Sequence, residues 1–216
     1  MGEYFAFQWH VTEACDQRCK HCYLFAEHAD KPMKRDQMVL TLANIEDFCR
    51  THDRLPCLHI TGDNPILHPD FWRLPGLVKE KGIPFTILGN PFHPDDKVCK
   101  WLADCGCDKY QLSIDGMEKT HDRFRMPGLQ GDLGKTATIK KAGITSVLMA
   151  IVSSVNGEEL PEIIDTVVKY KADVFAFARY VPTSSAKSTG ITPSNTGTCL
   201  PCATRNSNST RKIRIA

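Results

Sequence analysis

Three cysteines, Cys15, Cys19 and Cys22, stand close together near the start of the chain. Three residues separate the first pair and two separate the second, so all three thiols belong to one short segment. Thiolates are soft ligands, and closely spaced thiolates hold zinc or iron–sulfur clusters. A structural zinc site needs four ligands in a closed tetrahedron, whereas three cysteines on one loop leave a coordination position open. The spacing therefore favours a [4Fe–4S] cluster with one reactive iron.

Zinc is the main alternative for this segment, because His21 could supply a fourth ligand. His21 directly precedes Cys22, however, and two adjacent residues rarely reach the same ion, so the sequence favours the cluster. The chain has ten cysteines in all. Cys105 and Cys107 flank a predicted turn, and the pair Cys199 and Cys202 supplies two of the four thiolates that a closed auxiliary cluster requires.

Composition and charge exclude several classes of protein. The first twelve residues contain neither a basic segment nor an apolar one of the kind that directs secretion, so we expect a cytoplasmic protein with reduced thiols. No stretch approaches 18 consecutive apolar residues, which predicts that no helix spans a membrane. The formal net charge of +2 gives no general attraction to nucleic acid or to a membrane surface.

The elements that must position the cysteines alternate between strands and helices. Hydrophobic periodicity, glycines and prolines predict six strands, at 5–11, 57–61, 84–89, 110–114, 146–153 and 174–179. They predict five helices between these strands, at 36–52, 70–81, 95–105, 133–142 and 158–170, with Pro75 kinking the second. This alternation indicates an α/β protein with a parallel sheet, closed either as a partial (β/α) barrel or as an open doubly wound sheet. In both folds, ligands gather at the carboxyl ends of the strands.

The last part of the chain has a different composition. Sixteen of the 34 residues in 183–216 are Ser, Thr or Asn. Such a segment can bury little apolar surface, so we expect it to be loosely packed. The sequence thus predicts a core domain at 1–182 and a tail at 183–216, which we interpret as the remnant of a C-terminal cluster domain.

The cysteine segment resembles the signature of the radical S-adenosylmethionine (radical SAM) superfamily, C-x3-C-x-aromatic-C. His21 takes the aromatic position and Tyr23 follows the last cysteine. The resemblance implies a partial (β/α)6 TIM-like barrel of parallel strands, with Cys15, Cys19 and Cys22 binding three irons of a [4Fe–4S] cluster. It also implies that SAM binds the fourth iron and is cleaved to methionine and a 5′-deoxyadenosyl radical, which abstracts a hydrogen atom from the substrate.

Three further segments resemble this superfamily. Ser113 and Asp115 lie in a segment similar to its SxDG motif, which implies positions near the SAM ribose and the substrate. Residues 121–125, HDRFR, resemble the hDxxR stretch of the peptide- and protein-modifying (SPASM-type) branch, and the RYVP segment at 179–182 resembles its barrel end. Asn156 matches a polar position near the SAM pocket. Taken alone, Ser113 and Asp115 are more simply explained as turn formers, and His121 and Arg125 as part of a solvated surface. The cysteine segment reverses this preference.

One segment departs from the family pattern. After the second strand, radical SAM proteins usually carry Gly-Gly-acid, which receives the SAM ammonium group. Here Gly62 is followed by Asp63 at the second glycine position and Asn64 at the acid position. Asn keeps a carbonyl acceptor but loses the charge, and neighbouring strand residues point to opposite faces. We therefore expect weakened SAM binding unless Asp63 has taken over the ammonium contact.

These observations predict a radical SAM enzyme that abstracts a hydrogen atom from a ribosomally made peptide. The implied partners are that peptide and a low-potential electron donor, with no nucleic acid or membrane, and no catalytic side chain is singled out. Two alternatives stay open. One is a cluster- or zinc-binding protein without turnover, and the other is a radical SAM enzyme that acts on a small metabolite.

Overall fold

Six parallel strands form one sheet in a computed structural model that describes residues 3–22, 32–182 and 190–194. The strands pair in the order in which they occur in the chain, so that β1 and β6 are the two edges. They are β1 (Glu3–His10), β2 (Arg54–Thr61), β3 (Phe85–Leu88), β4 (Cys107–Ser113), β5 (Thr145–Val152) and β6 (Val174–Arg179). A doubly wound sheet would instead reverse its strand order at a switch point. The predicted partial (β/α)6 barrel is therefore confirmed.

Six α-helices lie between the strands in the described part of the chain, one more than the sequence predicts. They are α1 (Arg35–Thr51), α2 (Leu74–Glu80), α3 (Asp96–Asp104), α4 (Glu118–Phe124), α5 (Leu129–Lys141) and α6 (Leu160–Lys169). The unpredicted helix is α4, which is only seven residues long and carries just two buried side chains, His121 and Phe124. So short a helix leaves almost no periodic signal in the sequence.

The kink predicted at Pro75 is wrong. Helix α2 begins at Leu74, so that Pro75 lies in its first turn, where the missing amide hydrogen would have had no partner within the helix. The preceding residues, predicted as helix from 70 onward, form turns instead. No helix in the described part of the chain is long and apolar enough to cross a membrane.

The two faces of the sheet differ in character. Residues such as Leu58, Ile60 and Tyr110 are completely buried on the face covered by the helices. Cross-strand pairing places Gln8 beside His59 and His59 beside Thr86, so the opposite, concave face carries polar side chains. The apolar face supplies the core, while the polar concave face is left for ligands.

Part of the Ser/Thr/Asn-rich segment, within residues 190–194, contacts the end of β5, which its composition does not predict. Pro193 forms an antiparallel bridge with Ser153, and the Ser154 amide donates to the Thr192 carbonyl oxygen at 2.9 Å. Ser194 is buried. The other residues of this segment beyond 182, with Cys199 and Cys202 among them, lie outside the described residues.

Candidate active site

The cysteine segment forms the loop that follows β1, and backbone hydrogen bonds attach it to two other elements. The Val11 amide donates to the Thr61 carbonyl oxygen at 3.0 Å, and the Asn64 amide donates to that of Ala14 at 2.9 Å. Farther along, the Lys20 amide donates to the carbonyl oxygen of Phe124, the last residue of α4, at 2.8 Å. The loop is thus fixed against the ends of β2 and α4.

A cavity of about 460 Å³ opens beside this loop at the carboxyl ends of the strands. Six of the residues predicted for the site line this cavity: Cys15, Cys19, His21, Cys22, Asp63 and Ser113. Its volume lies within the range that is usual for sites that bind small molecules. The three thiols therefore share one cavity with candidate SAM-binding residues.

The thiols are not gathered around a single point. Among residues 3–22, 32–182 and 190–194, no three His, Cys, Asp or Glu side chains stand close enough together to hold one metal ion. A single zinc would draw its sulfur ligands to about 3.8 Å from one another, given a Zn–S bond of about 2.3 Å. A cluster does not require the three sulfur atoms to lie this close together, because each thiolate binds a different iron.

Burial disfavours the charged form of these thiols in the free protein. It raises the pKa of Cys15 to about 11. Burial likewise raises the pKa of Cys19, although the nearby Arg125 guanidinium opposes this effect. Binding iron would therefore release protons, because only the thiolate is a ligand.

The segment after β2 leaves the strand geometry at Gly62 and Asp63. Both have positive φ, +101° and +44°. A Cβ on Gly62 would lie 2.4 Å from the Thr12 carbonyl oxygen, so only glycine allows the cysteine loop to approach this closely. The left-handed turn cancels the strand alternation, and Asp63 lines the cavity. Strand alternation therefore does not set the direction of the Asp63 side chain.

Asn64 is not among the residues that line the cavity. It is completely buried, and its Nδ2 donates to Asp16 Oδ1 at 3.1 Å. Asn90 Nδ2 donates to the same oxygen at 2.5 Å, and His93 Nε2 lies 2.6 Å from Asp16 Oδ2. Burial alone would raise the pKa of Asp16, but these hydrogen bonds outweigh it and lower that pKa. Asp16 thus links the cysteine loop to the loops after β2 and β3.

Asp115 does not line this cavity either. It is buried beneath the cysteine loop, where Arg125 Nε donates to its Oδ2 at 2.5 Å and His21 Nε2 lies 3.2 Å from the same oxygen. The Ile151 amide donates to Oδ1 at 2.8 Å. Burial would raise the pKa of Asp115, but Arg125 and His21 outweigh it and hold that pKa well below its usual range. Asp115 is therefore a fixed anion that supports the site from below.

Asn156 is also buried below the cavity. Its Nδ2 donates to the carbonyl oxygens of Asp115 and Ile151, both at 2.9 Å, and its Oδ1 accepts from the Ser153 amide at 2.7 Å. Asn156 thereby ties the segment after β4 to the end of β5. Tyr23 lies outside the described residues. Cys107 is buried at the start of β4, at the opposite end of the strand from Ser113.

Sequence reasoning did not assign several of the lining residues to the site, and Gln17, Arg125 and Arg179 are among them. Gln17 and Arg125 meet through a hydrogen bond from Arg125 Nη1 to Gln17 Oε1 at 3.3 Å. The buried atoms Gln17 Nε2 and His21 Nδ1 have no hydrogen-bond partner among the described residues, which leaves them available to a polar ligand. The signals were present, since Arg125 ends the hDxxR-like stretch and Arg179 ends β6, but neither pattern reveals where its side chain points.

Residues 9–167 match the sequence profile of the radical SAM superfamily. The pre-heme d1 synthase of Dinoroseobacter shibae is 27% identical over 160 residues, which cover 72% of this chain and 38% of that protein. The mycofactocin maturase MftC of Mycobacterium ulcerans is 29% identical over 112 residues, which cover 50% of this chain and 28% of that protein. This chain therefore spans less than half the length of these curated relatives.

Solved structures show the same fold. Streptococcus suis SuiB bound to S-adenosylmethionine superimposes with a TM-score of 0.70 at 19% identity, over 85% of this chain and 42% of SuiB. SuiB bound to its precursor peptide SuiA gives a TM-score of 0.69 at 18% identity, over 84% of this chain and 40% of SuiB.

Proposed function

The chain belongs to the radical SAM superfamily, and on that premise we propose that it cleaves SAM reductively at a [4Fe–4S] cluster and abstracts a hydrogen atom from a peptide. Members of this superfamily are enzymes that use both cofactors. One observation carries the proposal: three thiols, an aspartate and a serine line one cavity at the carboxyl ends of parallel strands. This is the edge at which barrel enzymes of this kind bind their ligands.

The cluster ligands in this proposal are Cys15, Cys19 and Cys22. Three thiols are the donor set that an iron–sulfur cluster with one open iron requires, and the loop that carries them is held by β2 and α4. When bound, the cluster and SAM supply the radical that removes the hydrogen atom. The protein binds both groups, orients the substrate and limits the access of water.

The SAM-binding residues follow from the lining of the cavity. Asp63 receives the SAM ammonium group, because it is the carboxylate among the lining residues. Ser113, at the end of β4, and the unpartnered Gln17 Nε2 and His21 Nδ1 offer hydrogen bonds to the remaining polar groups of SAM. Gly62 acts through its backbone, while Asn64, Asp115 and Asn156 hold these residues in place.

A peptide is the substrate that we favour. The mycofactocin maturase is similar to half of this chain, and the hDxxR-like stretch resembles the peptide-modifying branch. The concave face is lined by polar residues such as Gln8, Thr61 and Gln111, which suit the amide groups of a peptide. The reaction also needs a low-potential electron donor, and we place the protein in the cytoplasm with reduced thiols.

A tetrapyrrole is the second candidate substrate, because the pre-heme d1 synthase matches a longer part of this chain than the maturase does. A tetrapyrrole would present a large apolar ring and several carboxylates. Arg179, a cation at the end of β6 that lines the cavity, would suit such a carboxylate. The two candidates share the SAM chemistry and differ only in what occupies the concave face.

The test is anaerobic reconstitution with iron and sulfide, reduction with dithionite, and measurement of 5′-deoxyadenosine formed from SAM. We expect about four irons per chain and SAM cleavage, and we expect neither in the variant with Cys15, Cys19 and Cys22 all changed to Ala. Cys105→Ala is the matched control, because Cys105 ends α3 and does not line the cavity. A reconstituted chain that holds its iron but never cleaves SAM would contradict the proposal.

Substrate class is tested in the same assay. Deuterated candidate substrates, either precursor peptides or iron porphyrins, are added in separate reactions that contain unlabelled SAM. Transfer of deuterium into 5′-deoxyadenosine from a peptide supports our preference, and transfer from a porphyrin alone would replace it with the second candidate.

A further inference from the structure

We infer that Arg125 raises the reduction potential of the cluster by donating a charged hydrogen bond to the thiolate of Cys19, with Asp115 as its opposing counter-ion. This inference rests on the proposed function, because it requires that Cys19 be a cluster ligand. It gives a role to the hDxxR-like stretch, which the proposed function leaves unused.

The geometry places Arg125 between the cysteine loop and a buried acid. Its Nη1 lies 3.5 Å from Cys19 Sγ and 3.3 Å from Gln17 Oε1, while its Nε donates to Asp115 Oδ2 at 2.5 Å. The Arg125 side chain is 14% exposed and that of Asp115 is 1% exposed. A guanidinium presents its donors in a rigid fork, so one side chain can bind the carboxylate and the sulfur together.

Arg125 cannot easily turn away from the sulfur. Asp115, which holds it, is itself held by the Ile151 amide at 2.8 Å and by His21 Nε2 at 3.2 Å. The end of α4 is fixed to the same loop, because the Phe124 carbonyl oxygen accepts from the Lys20 amide and its ring packs against His21 at 5.2 Å between centroids. The cation and the thiol therefore belong to one rigid unit.

The effect on the cluster follows from charge. Reduction adds one electron, and therefore one negative charge, to the cluster and its thiolates. A donor aimed at a ligand sulfur stabilises the reduced form, and hydrogen bonds to the sulfurs and net charge are among the factors that set these potentials. The interaction is little screened because Asp115 is buried and Arg125 is only 14% exposed. The contact makes reduction by the electron donor easier.

Asp115 acts in the opposite direction but from farther away. Arg125 Nη1 donates to Cys19 Sγ, while Asp115 reaches that sulfur through Arg125. Removing the two charges one at a time should therefore shift the potential in opposite directions.

The experiment is an EPR-monitored redox titration of the reconstituted protein without SAM, with iron content as a check. We expect Arg125→Gln to lower the midpoint potential, so that about tenfold less cluster is reduced at a fixed donor potential, a shift of about 59 mV for one electron. Asp115→Asn should raise the midpoint potential, because it removes the opposing charge. Arg125→Lys keeps the charge and should recover much of the wild-type potential.

The directions of the two shifts in midpoint potential show whether Arg125 tunes the cluster or has only a structural role. If Arg125→Gln and Asp115→Asn shift the potential in the same direction, or neither shifts it, the inference is overturned. If Arg125→Gln fails to hold the cluster, Asp115→Asn decides alone, and an unchanged or lower potential overturns the inference. If the wild-type chain takes up no cluster, or the variant lacking all three cysteines still takes it up, the proposed function itself fails.

Discussion

We propose that Asp63 takes the role that the family pattern gives to the acid at position 64. The sequence places the acid one residue early, and the structure turns that acid toward the cavity through positive φ at Gly62 and Asp63. The side-chain amide of Asn64 instead donates to Asp16 within the cysteine loop. Compared with the family pattern, the carboxylate of this segment stands one position earlier in the chain.

Asp63→Asn should therefore weaken SAM binding. A charge-assisted hydrogen bond contributes roughly 1.5–3 kcal/mol, which corresponds to a 10- to 150-fold rise in Kd. Isothermal titration calorimetry, with SAM added to the reconstituted protein, measures this Kd. Asp108→Asn is the matched control. Asp108 is exposed, pairs with Lys109 and lies near the start of β4, at the opposite end of this strand from Ser113, which lines the cavity. Equal affinities of Asp63→Asn and wild type would contradict the assignment.

The family-like change Asn64→Asp should not strengthen SAM binding. It would place a second carboxylate at about the 3.1 Å that now separates Asn64 Nδ2 from Asp16 Oδ1. Losing the hydrogen bond in a buried site costs about 1–3 kcal/mol, before the repulsion between the two charges is counted. Urea unfolding of Asn64→Asp should show this loss of stability. A variant that is more stable and binds SAM more tightly would contradict the prediction and favour an acid at position 64, as in the family pattern.

At the scale of elements, the close approach of the segment after β2 to the cysteine loop depends on one glycine. Gly62→Ala combines a strained φ with a Cβ 2.4 Å from a backbone oxygen. We expect it to reduce cluster uptake as well as stability, because the cysteine loop has to move. Gly82→Ala is the matched control. Gly82 also has positive φ, +65°, but nothing lies within 4 Å of the position that an alanine Cβ would take there.

Comparing the two glycine variants should separate the effect of backbone strain from the effect of moving the cysteine loop. Positive φ alone costs roughly 1–2 kcal/mol per residue, so both should lower the free energy of unfolding. Only Gly62→Ala should lower the iron content after reconstitution. Equal iron content in the two variants would show that the approach of the loop at Gly62 is not needed for the site.

The start of β6 is fixed to β5 by Asp173. Its Oδ2 accepts from the Ser146 amide at 2.9 Å and from Ser146 Oγ at 2.7 Å, while Oδ1 pairs with Lys140. Burial would raise the pKa of Asp173, but Lys140 and Ser146 outweigh it and lower that pKa. Because the folded pKa lies below the unfolded one, this carboxylate contributes stability above the unfolded value, and the contribution fades as pH falls through the folded value.

Asp173→Asn should therefore lower the free energy of unfolding at neutral pH, by at most about 1 kcal/mol because the pair is partly exposed. The difference from wild type should shrink as the solution is acidified below the ordinary carboxyl range. Urea unfolding at pH 7 and near pH 3 measures both values. A difference that grows on acidification would contradict this account of Asp173.

At the scale of the whole molecule, the candidate cluster site joins several elements. The loop that carries Cys15, Cys19 and Cys22 contacts the ends of β2 and α4 through its backbone, and Asp16 extends the contact to the loop after β3. A ligand that binds only the folded state stabilises the whole fold by mass action. Bound iron should therefore stabilise the barrel and not only its loop.

Removing the cluster with an iron chelator should lower the Tm of the reconstituted protein. The same treatment should leave the Tm of the variant lacking all three cysteines unchanged, which controls for effects of the chelator on the fold. Thermal unfolding followed by circular dichroism in the far ultraviolet measures it. An equal Tm before and after chelation of wild type would show that cluster binding and folding are not linked.

Much of this architecture could be predicted from local sequence. The β-branched runs, the closing glycines and the helical spacing of Met38, Leu42 and Ile45 identify every strand and five of the six helices, because these signals depend on neighbours in the chain. The cysteine spacing indicates the cluster for the same reason. The choice of a barrel over an open sheet came from the family resemblance and is confirmed by the strand order.

Tertiary structure decided what each polar residue does. Asp16, Arg125 and Asn64 meet partners that are 48 to 108 residues away in the chain, and no local pattern can specify such pairs. Positive φ at Gly62 and Asp63 breaks the strand alternation, because left-handed residues redirect the side chains in this segment. The sequence determined by itself which chemistry the chain carries, since ligand type and spacing are local. Which side chain faces the cofactor and which supports it from below depended on how distant loops pack together.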